Sequence, residues 1–500
     1  MTDDWMQRRW WAKQALGTIA RAAAVRALSR VFWGRKPDRS SRDNAKLFEE
    51  GLKALSGLMG ANVAEISRNY DNLAAECGRH LKTIGICVDP HSPEFDLKVF
   101  SAGVCDWMRS QGFKHAEVSL PDDTYYHLMN HFPHTFMTTN RQTLPLSLVY
   151  TFVAIVTRLG LCAAPVGFPA HVHAWIYLPG AELDDDTRDW EEDTPTRRLA
   201  VDVFNSDKEP FRHSDAMRNV LDNMGIPRSD QSLWMRPAMA SDMVERAANN
   251  ILNSAERLHH HGEEMVPREV RGAGLYTASV ALLIARPEAA NALQLVALVV
   301  GVVREYFPLD IDPILAQELA PILDRNQNES IGMHLRSIVE LLRGAVIGGK
   351  QKPQQGKRLW WVGMVFRHLR YGYIGVVLDC DEKCMAGEEW IRQMGVDSLA
   401  RGGSQPFYTV LATDGSSRYV AEDNIIPLPA PEGDAQRGTQ DIRETVRMLM
   451  KAGTWKMEQT FSRVEVNEEL GRAWFVPGVD TARTYPGDTE MGRVYIQGLW

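Results

Sequence analysis

The sequence predicts an α+β protein of several domains, with a helix-rich body around a small sheet followed by a small C-terminal β-barrel. Its 500 residues suffice for about three domains of ordinary size. A hydrophobic content of 44% and a charged content of 24% are typical of a globular chain with a sizeable core. Apolar residues recur at helical spacing through most of the first 345 residues, whereas short alternating strands and turns follow residue 357. This change of period predicts the fold class.

Changes in composition delimit six segments. They are a helical N-terminal region (1–115), a mixed core (116–210), a second helical region (211–348), a linker (349–356), a barrel (357–428) and a C-terminal tail (429–500). The linker is rich in Gly, Gln and Lys, as is typical of a connection between domains. The acidic, proline-containing stretch 182–195 is predicted to be a solvated loop. In the tail we expect one helix, at about 439–450.

Charge, cysteine content and hydropathy exclude several classes of protein. A net charge of −8 and a pI near 6.0 argue against a surface devoted to nucleic acid. The six cysteines have no repeated pair spacing, which favours reduced thiols and a cytoplasmic or nuclear location. The longest uncharged apolar run, 289–303, is shorter than the roughly 20 residues of a membrane span. We therefore expect no membrane span, and we also expect no cofactor. No metal site is expected, because the histidines at 259–261 lack further ligands at suitable spacing.

One constellation between residues 140 and 205 suggests acyl-transfer chemistry. Ser147 lies at the start of a predicted buried helix, His171 and His173 lie on a strand, and Asp202 lies on the next strand. A nucleophile, a histidine that takes its proton and an aspartate that orients the histidine form a catalytic triad. The pattern leaves open which histidine would serve.

The segments Leu-Pro-Leu-Ser-Leu at 144–148 and Phe-Pro-Ala-His-Val-His-Ala-Trp at 168–175 resemble the transglutaminase-like fold. That fold places a cysteine at the opening of the helix, and here the position is taken by Ser147. An unactivated serine is a much weaker nucleophile than a thiolate. The resemblance therefore implies a binding cleft in a fold that has lost its nucleophile. A serine-based acyl-transfer or protease-like enzyme is the alternative.

The segments 366–377, 405–411 and 414–425 are similar, motif by motif, to the hemimethylated-DNA-binding (YccV-like) domain, a small β-barrel. This resemblance implies DNA binding, but residues 357–428 carry eight basic and nine acidic side chains, a net charge of −1. The alternative is that the tyrosines only build the barrel. The candidate DNA or ligand contacts are Arg367, His368, Arg370, Tyr371, Tyr373 and Arg418.

The order of these two regions resembles the F-box only protein 21 family. The resemblance implies a non-catalytic adaptor that binds client proteins and a ubiquitin-ligase scaffold, with DNA as a second partner through the barrel. The Leu-Pro-x-Glu-Ile/Leu opening of an F-box is not found near residue 1, so we expect either a shortened relative or an incomplete N-terminus. A chromatin-associated DNA-binding protein is the third alternative.

Overall fold

A computed structural model describes most of the chain. The described residues are 4–34, 41–116, 125–169, 172–179, 198–205, 210–260, 266–325, 329–347, 358–429, 441–452 and 454–499. The linker predicted at 349–356 and the loop predicted at 182–195 lie outside them. The chain forms two compact units, one of residues 15–342 and the other of residues 1–14 together with 343–500.

The first unit is a helical body around a small sheet. Its helices are α1 (Trp5–Trp33), α2 (Ser41–Leu58), α3 (Val63–Thr83), α4 (Leu97–Ser110), α5 (Pro133–Phe136), α6 (Pro145–Arg158), α7 (Ser214–Asn223), α8 (Arg228–Met235), α9 (Ala240–His260), α10 (Arg268–Ala285), α11 (Ala292–Tyr306), α12 (Ala320–Arg325) and α13 (Glu329–Ile347). Short 3₁₀ helices cover Leu128–His131 and Pro308–Asp310, and a π-helix covers Ile311–Leu319. The ends of α1 and α13, residues 5–14 and 343–347, belong to the second unit.

The strands of the first unit form two sheets. They are β1 (Lys114–His115), β2 (Gln142–Thr143), β3 (Cys162–Val166), β4 (His173–Tyr177), β5 (Arg198–Val201) and β6 (Phe211–Arg212). β1 and β2 pair in parallel, whereas β3 to β6 form an antiparallel sheet in sequence order. The predicted strands at 172–178 and 199–204 correspond to β4 and β5.

Helix α6 is the central element of this unit. Pro145 occupies its first turn, where the missing N–H of proline costs nothing, and residues 145–156 are all buried. Successive residues of a strand point to opposite faces of the sheet. Ala174 and Ile176 accordingly join the large core that contains α6, whereas Trp175 and Tyr177 join a smaller core beside α7 and α8.

The second unit contains a five-stranded antiparallel sheet and a separate hairpin. Its elements are β7 (Val365–His368), β8 (Ile374–Asp381), α14 (Glu388–Met394), β9 (Phe407–Ala412), β10 (Ser417–Ala421), β11 (Ile425–Pro427), α15 (Ile442–Ala452), α16 (Thr454–Thr460), β12 (Phe461–Asn467), β13 (Arg472–Pro477), α17 (Val479–Thr484) and α18 (Asp488–Ile496). The strand order is β10-β9-β8-β7-β11.

The sheet of the second unit differs from the predicted barrel in its closure. The 3₁₀ turn Glu422–Asn424 redirects the chain after β10, so that β11 pairs with β7 at the far edge. No pairing joins β10 to β11 among the residues that the structure describes. The α+β fold class is confirmed, with the C-terminal strands forming an antiparallel sheet of their own.

The region after residue 441 completes the core of the second unit. Trp474 and Phe475 of β13 are buried with Trp361 and Phe366 in one cluster, which also contains Met6 from the start of α1. Gly363 is required at this contact, since its φ is +90° and a Cβ would lie 1.9 Å from the carbonyl oxygen of Phe475. The predicted tail helix corresponds to α15, and the β12–β13 hairpin has no counterpart in the prediction.

None of the helices in the described ranges is long and apolar enough to span a membrane. All six cysteines are thiols rather than disulfides. Burial raises the pKa values of Cys77 and Cys105 to about 12, so both thiols stay protonated at neutral pH.

Candidate functional sites

Ser147 is the third residue of α6 and its side chain is buried, with only 3% of its surface exposed. Its hydroxyl donates a hydrogen bond of 2.7 Å to the backbone carbonyl of Asn130. The same carbonyl accepts a second hydrogen bond, of 2.8 Å, from the hydroxyl of Thr143. The hydroxyl proton of Ser147 is therefore engaged by a carbonyl oxygen, which cannot act as a general base at neutral pH.

His173 lies on the face of the four-stranded sheet opposite to α6. It alternates along β4 with Ala174, which packs into the core that contains α6, and its ring stacks on Phe168 with centroids 5.2 Å apart. Strand alternation therefore turns the imidazole of His173 away from the face of the sheet on which α6 packs. His171 lies outside the described residues.

Asp202 follows β5 and is fully buried. Its carboxylate accepts hydrogen bonds from Nε and Nη2 of Arg212 at 3.1 and 2.7 Å, and from the backbone N–H of Asn205 at 3.1 Å. Oδ1 lies 3.9 Å from Nδ1 of His173, which is longer than a hydrogen bond. Arg212 and Asn205 thus hold the aspartate, and Ser147, His173 and Asp202, which are the described members of the predicted triad, do not form a working triad.

A cleft of about 560 Å³ lies at the amino end of α6, a volume within the usual range of ligand sites. Its lining comes from the segment around Tyr125 and His131, from Leu144–Leu146 at the start of α6, and from Val172 before β4. The remaining lining side chains project from α9. They are Arg246, Asn250, Asn253, Ser254, Glu256 and Arg257.

The positive charges in this cleft come from its two arginines. The guanidinium of Arg257 lies over the ring of Tyr126, 3.8 Å from its centroid, and Nη1 of Arg246 donates to the carbonyl of Phe168 at 3.2 Å. Neither guanidinium forms an ion pair within the described part of the chain. The pKa of His131 is lowered to about 3 by burial and by a neighbouring histidine, so its imidazole is neutral at physiological pH.

A second candidate site lies on the five-stranded sheet, where aromatic rings and guanidinium groups form a continuous stack. Arg418 lies 4.0 Å from the ring centroid of Tyr373, which lies 4.8 Å from the ring of His368. His368 in turn contacts Tyr371 at 4.9 Å, and Arg370 lies 5.5 Å from the Tyr371 ring. We call these five residues the arginine–aromatic stack. Cation–π attraction and ring stacking hold it together.

His368 is the centre of the stack and is 4% exposed. The backbone N–H groups of Arg370 and Tyr371 donate to its Nδ1 at 3.1 and 3.2 Å. Burial, together with the charges of Arg418 and Arg370, lowers the pKa of His368 to about 4. The imidazole is therefore neutral and accepts these bonds, whereas Tyr371 is 66% exposed and accessible to a ligand.

The structure brings five of the six predicted contact residues into the stack and separates the sixth. Arg367 precedes His368 on β7 and therefore points to the opposite face of the sheet. Arg418 also pairs with Asp414, which reduces the net charge of the stack. Arg370 has no ion-pair partner among the described residues.

No group of three or more His, Cys, Asp or Glu side chains in the described ranges is arranged to hold a metal ion. The side chains at 259 and 260 and the whole of residue 261 lie outside the description. Cys380 approaches Nη1 of Arg358 at 3.2 Å. Cys384 is partly buried on the connection after β8.

The cleft residues on α9 are not among the residues predicted from the sequence. Arg246, Asn250, Asn253 and Arg257 recur every three or four residues, which places polar side chains on one face of a helix. That periodicity is visible in the sequence. Their convergence with Tyr125 and Tyr126, which lie more than a hundred residues earlier, is not visible in the sequence.

Two protein-family models match the chain, one in each unit. Residues 72–249 match the family model of the transglutaminase-like superfamily, and residues 359–448 match that of the hemimethylated DNA-binding protein YccV like family. Among curated proteins, F-box only protein 21 from Mus musculus is 27% identical over 321 residues, which cover 60% of this chain and 46% of the relative. The chain is similar to F-box only protein 21.

The similarity to F-box only protein 21 extends to other mammals. The proteins from Homo sapiens and Pongo abelii are each 27% identical over 60% of this chain, covering 46% and 45% of their own lengths. The chain thus spans about half the length of the curated relatives it matches. No solved structure matches it.

Proposed function

We propose that this chain is a non-catalytic adaptor of the kind that presents client proteins to a ubiquitin ligase. The transglutaminase-like unit would bind the client through the cleft at the amino end of α6. Similarity to F-box only protein 21 over 60% of the chain supports the link to ubiquitin ligases. One observation carries the non-catalytic assignment: the hydroxyl at the nucleophile position, that of Ser147, is buried and bonded to the Asn130 carbonyl.

Two measurements test this proposal. A fluorophosphonate probe, which labels activated serines, should leave Ser147 unmodified, as judged by mass spectrometry of the tryptic peptide. The tagged full chain, expressed in its source cells, should co-purify a cullin-type scaffold, and the Ser147→Ala variant should do so equally well. Labelling of Ser147, or loss of a measured acyl-transfer activity in Ser147→Ala, would contradict the adaptor assignment. Absence of the scaffold after in-cell crosslinking would contradict the ligase link.

DNA binding by the second unit is a further candidate function, favoured by the arginine–aromatic stack and by the match to a hemimethylated-DNA-binding family. An exposed aromatic ring between guanidinium groups suits stacking on a base beside a phosphate contact. The net charge of −1 over residues 357–428 limits the expected number of phosphate contacts to very few.

The salt dependence of DNA binding tests this second function. The full chain should bind duplex DNA methylated on one strand with a shallow dependence of log K on log salt, of slope about −1 to −2. Arg370→Gln should reduce the slope by about one unit, and Tyr371→Ala should weaken binding by about tenfold. Arg367→Gln, on the opposite face of β7, is the matched control. Equal effects of the Arg370 and Arg367 substitutions would contradict the assignment.

A further inference from the structure

The cleft at the amino end of α6 has an excess of positive charge. Arg246 and Arg257 project into it from α9, and Glu256 is the acidic residue of the described lining. The arginines are held by a carbonyl oxygen and by a tyrosine ring, neither of which neutralises a guanidinium. Because His131 is neutral, the described lining keeps a net charge of +1.

The other lining groups match a peptide. The carboxamides of Asn250 and Asn253 can each donate to and accept from a peptide backbone. Tyr125 and Tyr126 offer aromatic faces, and Leu144, Leu146 and Val172 offer apolar contacts. A cavity of about 560 Å³ accommodates a short segment of chain rather than a folded surface.

We propose that this cleft binds an acidic segment of a client protein, with Arg246 and Arg257 pairing with its carboxylates. This inference rests on the proposed adaptor function and specifies the chemistry of the client segment. Arginine binds carboxylates through two parallel hydrogen bonds, which provides geometric selectivity. A nucleic acid is a poorer occupant, because two cations accompanied by Glu256 cannot neutralise a run of phosphates.

Selection from a random heptapeptide library on the immobilised full chain provides the test. Selected peptides should be enriched in Asp and Glu on the unmodified chain but not on the Arg246→Gln/Arg257→Gln double variant. A fluorescein-labelled selected peptide should bind about tenfold more weakly to each single variant in fluorescence polarisation. Its analogue with Asn and Gln in place of Asp and Glu should bind about tenfold more weakly to the unmodified chain.

Two further variants show whether the charge of the cleft controls the affinity for the peptide. Glu256→Gln removes the acidic lining group and should tighten peptide binding by about two- to fivefold. Arg304→Gln, at an exposed position on α11 outside the cleft, should leave the affinity unchanged. Arg257 is exposed, so its substitution should not disturb folding, and a thermal melt of each variant checks this.

Several outcomes would overturn the inference. They are selection of neutral or basic peptides, an effect of Arg304→Gln equal to that of Arg257→Gln, and displacement of the peptide by equimolar duplex DNA, which would indicate a nucleic-acid site. If acidic peptides fail while the ubiquitin-ligase scaffold co-purifies, the cleft inference fails and the adaptor function stands. If acidic peptides bind at the cleft while no scaffold co-purifies, the cleft inference stands and the adaptor function fails.

Discussion

At the scale of single residues, the serine at the nucleophile position forms a structural hydrogen bond. The backbone carbonyl of Asn130 accepts hydrogen bonds from both Ser147 and Thr143. Ser147→Ala should lower the free energy of unfolding by only about 1 kcal/mol, because the Thr143 bond remains. Thr143→Val combined with Ser147→Ala should cost more than the sum of the single changes, since it leaves a buried carbonyl without either bond. Urea titration of the three variants measures this coupling, and strict additivity would refute it.

The lowered pKa of His368 makes the second unit sensitive to acid. Its folded value of about 4 lies below the value of about 6.5 expected in the unfolded chain. Above pH 6.5 neither state binds the proton and this contribution to stability is fully present. As the pH falls from 6.5 to 4, the unfolded state alone takes up the proton, so the free energy of unfolding should decrease by about 2 kcal/mol. Urea unfolding at pH 7.5 and 4.5 should show a smaller decrease for His368→Gln. An equal decrease in the free energy of unfolding for the unmodified chain and for His368→Gln would contradict this explanation.

The proximity of the stack residues to one another could be predicted from the sequence, because they lie close together along β7, the following turn and β10. His368, Tyr371 and Tyr373 fall within six positions of one another, and local backbone geometry largely determines their contacts. The face on which each residue lies depends on the register of β7, which the sequence alone did not specify. Arg367 was grouped with the others for this reason.

At the scale of elements, a buried carboxylate ties α1 to α10 and to the turn before the π-helix. Asp310 is fully buried and accepts hydrogen bonds from Thr18, Arg21 and Tyr276. Asp310→Ala should destabilise the first unit by about 3–5 kcal/mol, because it leaves the buried guanidinium of Arg21 uncompensated. Arg21→Met combined with Asp310→Leu should restore part of this loss. Unfolding midpoints followed by circular dichroism measure both effects, and a double variant less stable than Asp310→Ala would disprove the account.

Whole elements were predicted well where their periodicity was long and poorly where pairing was distant. The region 211–348, predicted to be helical, contains helices α7 to α13, because apolar spacing persists there over several turns. The β12–β13 hairpin was missed, although Ala473–Pro477 is an apolar run that follows Gly471, whose φ is +61°. The cleft was missed because α9 meets the segment at 125–131 only after the intervening chain has folded.

At the scale of the whole molecule, the second unit is assembled from both ends of the sequence. Met6 is fully buried in its core, and Lys13 pairs with the buried carboxylate of Glu458 at 2.8 Å. Met6→Ala should therefore destabilise the second unit by about 2–5 kcal/mol while leaving the first unchanged. Hydrogen exchange should accelerate in residues 361–378 and stay constant in 145–158. Leu16→Ala, on the same helix but 69% exposed, is the matched control. Acceleration in both regions would contradict the prediction.

Because the second unit combines residues 1–14 with residues 343–500, its parts are synthesised at different times. Residues 15–342 form a compact unit from a continuous stretch, so their core can close before synthesis ends. Met6 and Trp5 are synthesised long before the side chains that cover them, such as Trp474 and Tyr495. Until the segment that contains Trp474 and Tyr495 has been made, the start of α1 therefore exposes apolar side chains to solvent or to a chaperone.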